Sequence, residues 1–296
     1  MNGTLFVNDN HLEELGGAAA TMRAFFEKNG PHDFCLSRDL TDDLVKSHHT
    51  IILGNFFTAT EKSLGALFGH ATGKNLFKIE FDFGFCAYRS PLLKRNLHQN
   101  LDPCPHSGNV MLKTLYAFLD MQCRGFLFMS EMQRDIFVKL LEWNIVHEND
   151  HRMFVVSSCF DDETWAFIRA NKQVIATKPY AVVSASDDFQ KYCKGTHDGT
   201  VFCHVNQLPY EKIYTPNYHK FLKQLSEFRG LVFMPANFDT CPRLLIEARL
   251  LGLMIFTNAN SQHVFEDWWR GGEEKMEEYL KSRPSAFWKF IHERSR

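Results

Sequence analysis

Short, wholly apolar runs alternate along this chain with longer stretches whose apolar residues recur every three or four positions. Runs of four to six apolar residues suit strands buried on both faces, and the longer stretches suit helices laid against them. Strands are therefore expected at residues 4–7 (TLFV), 49–53 (HTIIL), 75–81 (NLFKIEF), 125–129 (GFLFM) and 154–157 (FVVS). Helices are expected between them at about 18–29, 61–68, 110–120, 131–143 and 161–171, with Ser130 as the N-cap of the fourth. Residues 90–110 carry Pro91, Pro103 and Pro105 and read as a long loop.

The alternation then starts afresh. Strands are expected at 180–183 (YAVV), 210–214, 231–234 (LVFM) and 253–257 (LMIFT), and helices at about 200–206, 218–228, 242–251 and from 265. A last helix is expected at 285–293, behind Pro284. Two rounds of strand and helix predict an α/β protein of two Rossmann-like domains with parallel sheets. The expected division is 1–172, 173–283 and a C-terminal helix at 284–296 whose aromatic face suits packing back on the first domain.

A chain of 296 residues is long enough for two such cores. Its net charge of −2 gives no electrostatic footprint for nucleic acid. No apolar run reaches membrane-span length, and the first twenty residues hold acids and Gly-Gly where a secretory signal would be basic and then apolar. A cytoplasmic protein is expected, and its eight cysteines, which lack paired spacing, read as free thiols. Cys86, Cys104, His106 and Cys123 contain no C-x2-C pair, so no zinc site is expected. Gly16-Gly17 is not a G-x-G-x-x-G fingerprint, which argues against a dinucleotide cofactor.

The candidate chemistry centres on residues 231–252, LVFMPANFDTCPRLLIEARLLG. A buried strand leads through a polar turn to a helix opened by Pro242 and closed at Gly252. The N-terminus of such a helix presents unpaired N–H groups and partial positive charge at the carboxyl end of a parallel strand, where α/β folds hold phosphates. Thr240 and Arg243 flank it, and Asp239 and Glu247 stand eight residues apart. Asp239 is either a ligand contact or a cap, and Glu247 either a ligand contact or the partner of Arg243 four residues earlier on the same face. Glu80 and Asp82 end the strand at 75–81, with Arg89 close behind. They resemble either the D-x-D metal pair of one glycosyltransferase fold or the acceptor-facing acidic triplet of some members of another, and the second is preferred.

Asp239 to Glu247 resembles the E-x7-E signature of retaining GT-B glycosyltransferases of the group 1, or family 4, type. Gly16-Gly17 resembles that family's N-terminal glycine turn, and Lys194-Gly195 its lysine-glycine pair. Two departures stand out: Asp replaces Glu at 239, and Ser184, Ala185 and Ser186 occupy the place of the usual glycine-arginine pair. The resemblance implies two facing Rossmann-like domains around an interdomain cleft. It also implies transfer of a sugar from a nucleotide-diphosphate sugar to a glycan, lipid or protein-linked acceptor, with retention and with neither metal nor cofactor. Asp239, Glu247 and Lys194 would then be catalytic. Gly16, Gly17, Lys194, Thr240, Arg243 and Glu247 would bind the donor, and Glu80, Asp82 and Arg89 would face the acceptor. A nucleotide-sugar epimerase, a metal-dependent transferase using Glu80 and Asp82, and a non-catalytic carbohydrate- or protein-binding module remain alternatives.

Overall fold

A computed structural model describes residues 3–14, 16–92, 110–141, 151–172 and 176–296. The chain forms two compact units, Met1–Cys159 with Lys281–Arg296, and Phe160–Leu280. The expected start of a second domain at Gln173, and most of the loop at 90–110, lie outside the described residues.

In the first unit, six parallel strands assemble in the order β2-β1-β3-β4-β5-β6. They are β1 (Thr4–Asn8), β2 (Asp33–Leu36), β3 (Thr50–Leu53), β4 (Asn75–Glu80), β5 (Cys123–Phe128) and β6 (Met153–Val155). Helices α1 (Gly17–Phe26), α2 (Asp42–Ser47), α3 (Glu61–His70), α4 (Val110–Gln122) and α5 (Glu131–Leu141) accompany them. β4 is buried along its whole length, as a strand with helices on both faces must be.

The last sixteen residues complete this unit's core. The Phe287 ring stacks on Phe25 at 4.0 Å, and Phe290 stacks on Phe154 at 5.0 Å. The Trp288 indole donates to the Phe25 carbonyl at 3.0 Å. Each of these buried aromatic rings contributes on the order of 2 kcal/mol through the surface it removes from water.

The second unit contains a four-stranded parallel sheet, β10-β9-β7-β8. Its elements are α6 (Asp162–Asn171), β7 (Lys178–Val183), α7 (Asp188–Cys193), α8 (Thr196–Val205), β8 (Tyr210–Ile213), α9 (Tyr218–Leu225), β9 (Phe228–Phe233), α10 (Arg243–Leu250), β10 (Met254–Thr257) and α11 (Asp267–Arg270). The final helix, α12 (Glu273–Arg294), runs across the division between Leu280 and Lys281. It includes Pro284, which corrects the expectation that a separate helix begins behind that residue. Proline's missing N–H forfeits one intrahelical bond to residue 280, and the helix continues because packing on either side holds it.

Helix caps separate two groups. Thr41, Thr60, Asp161, Asp187 and Asn217 cap α2, α3, α6, α7 and α9 through side-chain oxygens. Helices α1, α8 and α10 begin at Gly16, Gly195 and Pro242 with no side-chain cap. Their first N–H groups are thus left for other acceptors.

Candidate functional site

Open parallel sheets bind ligands at the carboxyl ends of their strands, where the strand order reverses. In the second unit β8 lies on one side of β7 and β9 on the other, so the reversal falls between β7 and β9. The turns leaving those two strands carry the predicted residues. After β7 come Ser184–Ser186 and, beyond α7, Lys194 and Gly195; after β9 come Pro235 to Thr240.

Glycine at 195 is demanded by geometry. Its φ is +65°, and a Cβ there would run into the carbonyl of Met234 and lie 3.0 Å from the nitrogen of Pro235. The backbone of the Lys194-Gly195 pair is thereby pressed against the end of β9. Lys194 extends its ammonium over the Phe233 ring, 5.7 Å from the centroid, and has no ion-pair partner among the described residues. The structure therefore brings Lys194, the uncapped start of α8 and the turn after β9 together.

That turn is held from β10. Asn258 and Asn260 both donate side-chain N–H to the Pro235 carbonyl, at 3.0 and 2.8 Å. Asp239 forms a parallel bridge with Ser261: its N–H donates to Asn260 at 2.9 Å, and its carbonyl accepts from Gln262 at 3.0 Å. The main chain of Asp239 is fixed and its side chain is half-buried, while Thr240 is buried.

Glu247 and Arg243 are buried together in α10, one turn apart. Arg243 Nε donates to Glu247 Oε1 at 2.6 Å, and the Tyr218 hydroxyl donates to the same oxygen. Arg243 Nη2 reaches Tyr218 at 3.2 Å and Thr164 at 3.3 Å, and the guanidinium lies 4.2 Å from the Phe160 centroid. Both charged groups are held above their ordinary pKa. For Glu247 burial outweighs the pull of Arg243 and Tyr218; for Arg243 burial works downward and Tyr218 and Glu247 more than offset it. Of the two roles open to Glu247, the pairing with Arg243 is present in the fold. Its Oε2 makes no hydrogen bond among the described residues, which leaves one oxygen for a hydroxyl.

In the first unit the reversal falls between β1 and β3. Here Asp9, nearly buried, accepts from the N–H groups of Phe57 at 2.8 Å and Thr58 at 3.0 Å, and from the hydroxyls of Ser37 and Thr58 at 2.5 and 2.9 Å. Asn8 Oδ1 accepts from the Asn55 N–H at 2.9 Å. These bonds tie the loop after β3 to the end of β1. Gly16 and Gly17 are exposed at the open start of α1, and Gly16 adopts a φ of +150° with free space where a Cβ would stand.

The three residues expected to face an acceptor separate. Glu80 is wholly buried. Its Oε1 accepts from Tyr116 at 2.8 Å and pairs with the buried Lys78 at 3.1 Å, and its Oε2 accepts from the Gly84 N–H at 3.1 Å. Burial pushes its carboxyl up in spite of these partners. Asp82 and Arg89, by contrast, are paired near the surface, with Arg89 Nε donating at 3.0 Å. The alternative of a metal pair meets the same geometry, since Glu80 is committed inward. Among the described residues no group of His, Cys, Asp and Glu has metal-holding geometry; Cys104 and His106 lie outside them.

Tyr218, Thr164 and Asp9 were missed by the sequence reading. Asp9 was within reach, because it directly follows a strand next to the reversal point. Tyr218 and Thr164 carry no local signal, since their partner Arg243 lies 25 and 79 positions away.

No protein-family profile matches the sequence, and no curated protein matches it either. Solved structures do. The crystal structure of Anabaena Alr3699/HepE in complex with UDP and glucose is similar over 99% of this chain and 95% of that one, at 10% identity and a TM-score of 0.51. Its complex with UDP-glucose gives 10% identity, the same coverage and a TM-score of 0.50. The UDP-GlcNAc 2-epimerase of Methanocaldococcus jannaschii gives 10% identity and a TM-score of 0.42 over 96% of this chain and 93% of that one. The chain has the GT-B class of fold, built from two Rossmann-like units with parallel sheets. No helix among the described residues is long and apolar enough to cross a membrane.

Proposed function

We propose that this chain is a glycosyltransferase that moves a sugar from a nucleotide-diphosphate donor to an acceptor hydroxyl. The observation that carries the reading is the convergence of Lys194, the uncapped start of α8 and the turn after β9 at the sheet's reversal point. The fold likeness to a protein solved with UDP and with UDP-glucose supports it.

Breaking the glycosyl bond builds negative charge on the leaving diphosphate. In this reading the Lys194 ammonium and the first N–H groups of α8 stabilise that charge, and removing one such group costs on the order of 3 kcal/mol in the barrier. Asp239 orients the sugar, and Glu247 accepts a ribose hydroxyl on Oε2 while Oε1 stays with Tyr218 and Arg243. Gly16 and Gly17 leave the start of α1 open to the donor. Asp82 and Arg89 contact the acceptor, and Glu80 supports them from within. Retention at the anomeric carbon and independence of metal are carried by the resemblance to the group 1 enzymes.

The test is release of nucleoside diphosphate from UDP-glucose, UDP-GlcNAc and GDP-mannose by the purified chain, with EDTA or with Mn²⁺, followed by the anomeric configuration of the product. EDTA-insensitive release that falls at least tenfold in Lys194→Ala is expected. Release that depends on Mn²⁺, or that Lys194→Ala leaves unchanged, counts against the reading. A second reading, a non-catalytic nucleotide-sugar binder, is favoured by the engagement of Glu247 Oε1 with two internal donors. Thermal stabilisation by nucleotide sugar without turnover would select it.

A further inference from the structure

β10 is an edge strand of the second sheet, and a cavity of about 440 Å³ lies against it. Ile255 and Phe256 of the strand line it together with Phe202, Met234, Trp269 and Arg249. Phe202 packs on Phe256 at 5.3 Å, and both are partly buried against the core cluster that includes Met234. The volume falls in the range of small-molecule sites.

Arg249 supplies the polar group. Its guanidinium stacks 4.6 Å from the Trp269 centroid, and Nη1 donates to the Trp269 carbonyl. Nε and Nη2 have no hydrogen-bond partner, and the side chain no ion pair, among the described residues. A partly buried guanidinium held by its own stacking, with two nitrogens open, is preorganised for a carboxylate, which it binds through paired N–H donors. Burial already lowers the Arg249 pKa, so an anion there would relieve a cost the fold carries.

We propose that this cavity binds a medium-chain acyl carboxylate, with its chain along β10 between Phe202 and Trp269 and its carboxylate on Arg249. An extended chain suits a site that follows a strand. A peptide strand suits it less, because the four residues of β10 direct only about half their backbone groups to the edge. The proposal is independent of the reading of the site after β7 and β9.

Decanoate is titrated into the purified chain below its micellar concentration, read by tryptophan fluorescence and by equilibrium dialysis, alongside decanol and acetate. One saturable site per chain is expected, with decanoate bound at least tenfold more tightly than decanol and acetate not bound. Arg249→Gln keeps a donor for the Trp269 carbonyl and should abolish the preference for decanoate over decanol. Phe202→Asp, at a half-exposed position, should weaken decanoate at least tenfold with unchanged circular dichroism. Absent saturation, equal binding of decanol, indifference to Arg249→Gln, or displacement of decanoate by an extended acidic peptide at lower concentration would each overturn the proposal.

Discussion

Replacing Arg243 by leucine tests whether the Arg243–Glu247 pair is an internal tie of the second unit. The substitution removes the 2.6 Å bond to Glu247 and the contacts to Tyr218, Thr164 and Phe160, and leaves a carboxylate that is 3% exposed with only the Tyr218 hydroxyl. Breaking a buried pair from one side costs about 3–5 kcal/mol. A ceiling follows from chemistry, because the stranded carboxyl can take up a proton instead. Starting from an unfolded pKa of about 4.3, protonation costs roughly 3.7 kcal/mol at pH 7 and about 1 kcal/mol at pH 5. The variant's carboxyl has a raised folded pKa, so the loss grows as pH rises above about 4.3 and shrinks on acidification. Urea unfolding, with hydrogen exchange at the α10 amides to follow the second unit by itself, should therefore give a penalty of about 3–4 kcal/mol at pH 7 that falls by more than half at pH 5. Arg243→Leu with Glu247→Leu should recover most of it, since an apolar pair strands no charge. A penalty below about 1 kcal/mol, one independent of pH, or no recovery in the double variant would refute the reasoning.

His263 is fully buried, stacked near Trp268 and edge-on to Trp269, and neither ring nitrogen has a hydrogen-bond partner among the described residues. Burial first, and Arg249 second, push its pKa down to about 3. A lowered pKa means stability that is complete above about 6.5 and lost as pH falls toward 3, about 2.7 kcal/mol of it by pH 4.5. His263→Phe should flatten the stability profile between pH 7 and 4.5, and an unchanged slope would assign the acid sensitivity elsewhere. Gly195→Ala combines a left-handed backbone with a collision against Met234, so a loss above about 2 kcal/mol is expected in thermal unfolding, accompanied by weaker nucleotide affinity. Asp9→Asn replaces an acceptor of four bonds by a group that accepts on one oxygen only, and should cost about 2 kcal/mol while speeding amide exchange at Phe57 and Thr58. Exchange at the wild-type rate would show that the loop is held by other contacts.

The apolar runs announced most of the strands because parallel strands are buried on both faces and need no alternation. β2 was harder to see: its four residues begin with Asp33 and end a segment of turns. α2 and α7 are six residues each, too short for a period to emerge, and only their caps Thr41 and Asp187 betray them. Lys194-Gly195 was legible as a pair, yet its reason, the close approach of Gly195 to Met234, depends on a contact far away in sequence. Glu80 was legible from its place at a strand's carboxyl end, the usual address of a functional acid. Its partners were not, because Tyr116 stands on a helix far away in sequence and side-chain direction between elements is invisible to spacing. Glu247 was readable both ways from its i, i+4 relation to Arg243, and Tyr218 is the added partner no linear pattern reveals.

The return of residues 281–296 to the first unit has a consequence for biosynthesis. Phe160–Leu280 is continuous in the chain, so every residue of that unit has been joined to the nascent chain while Phe287, Trp288 and Phe290 are still unsynthesised. Until they arrive, Phe25, Phe77 and Phe154 lack the rings that cover them. The unit begun first is thus the one finished last, and nascent chains stalled before residue 281 would present a ready surface to chaperones.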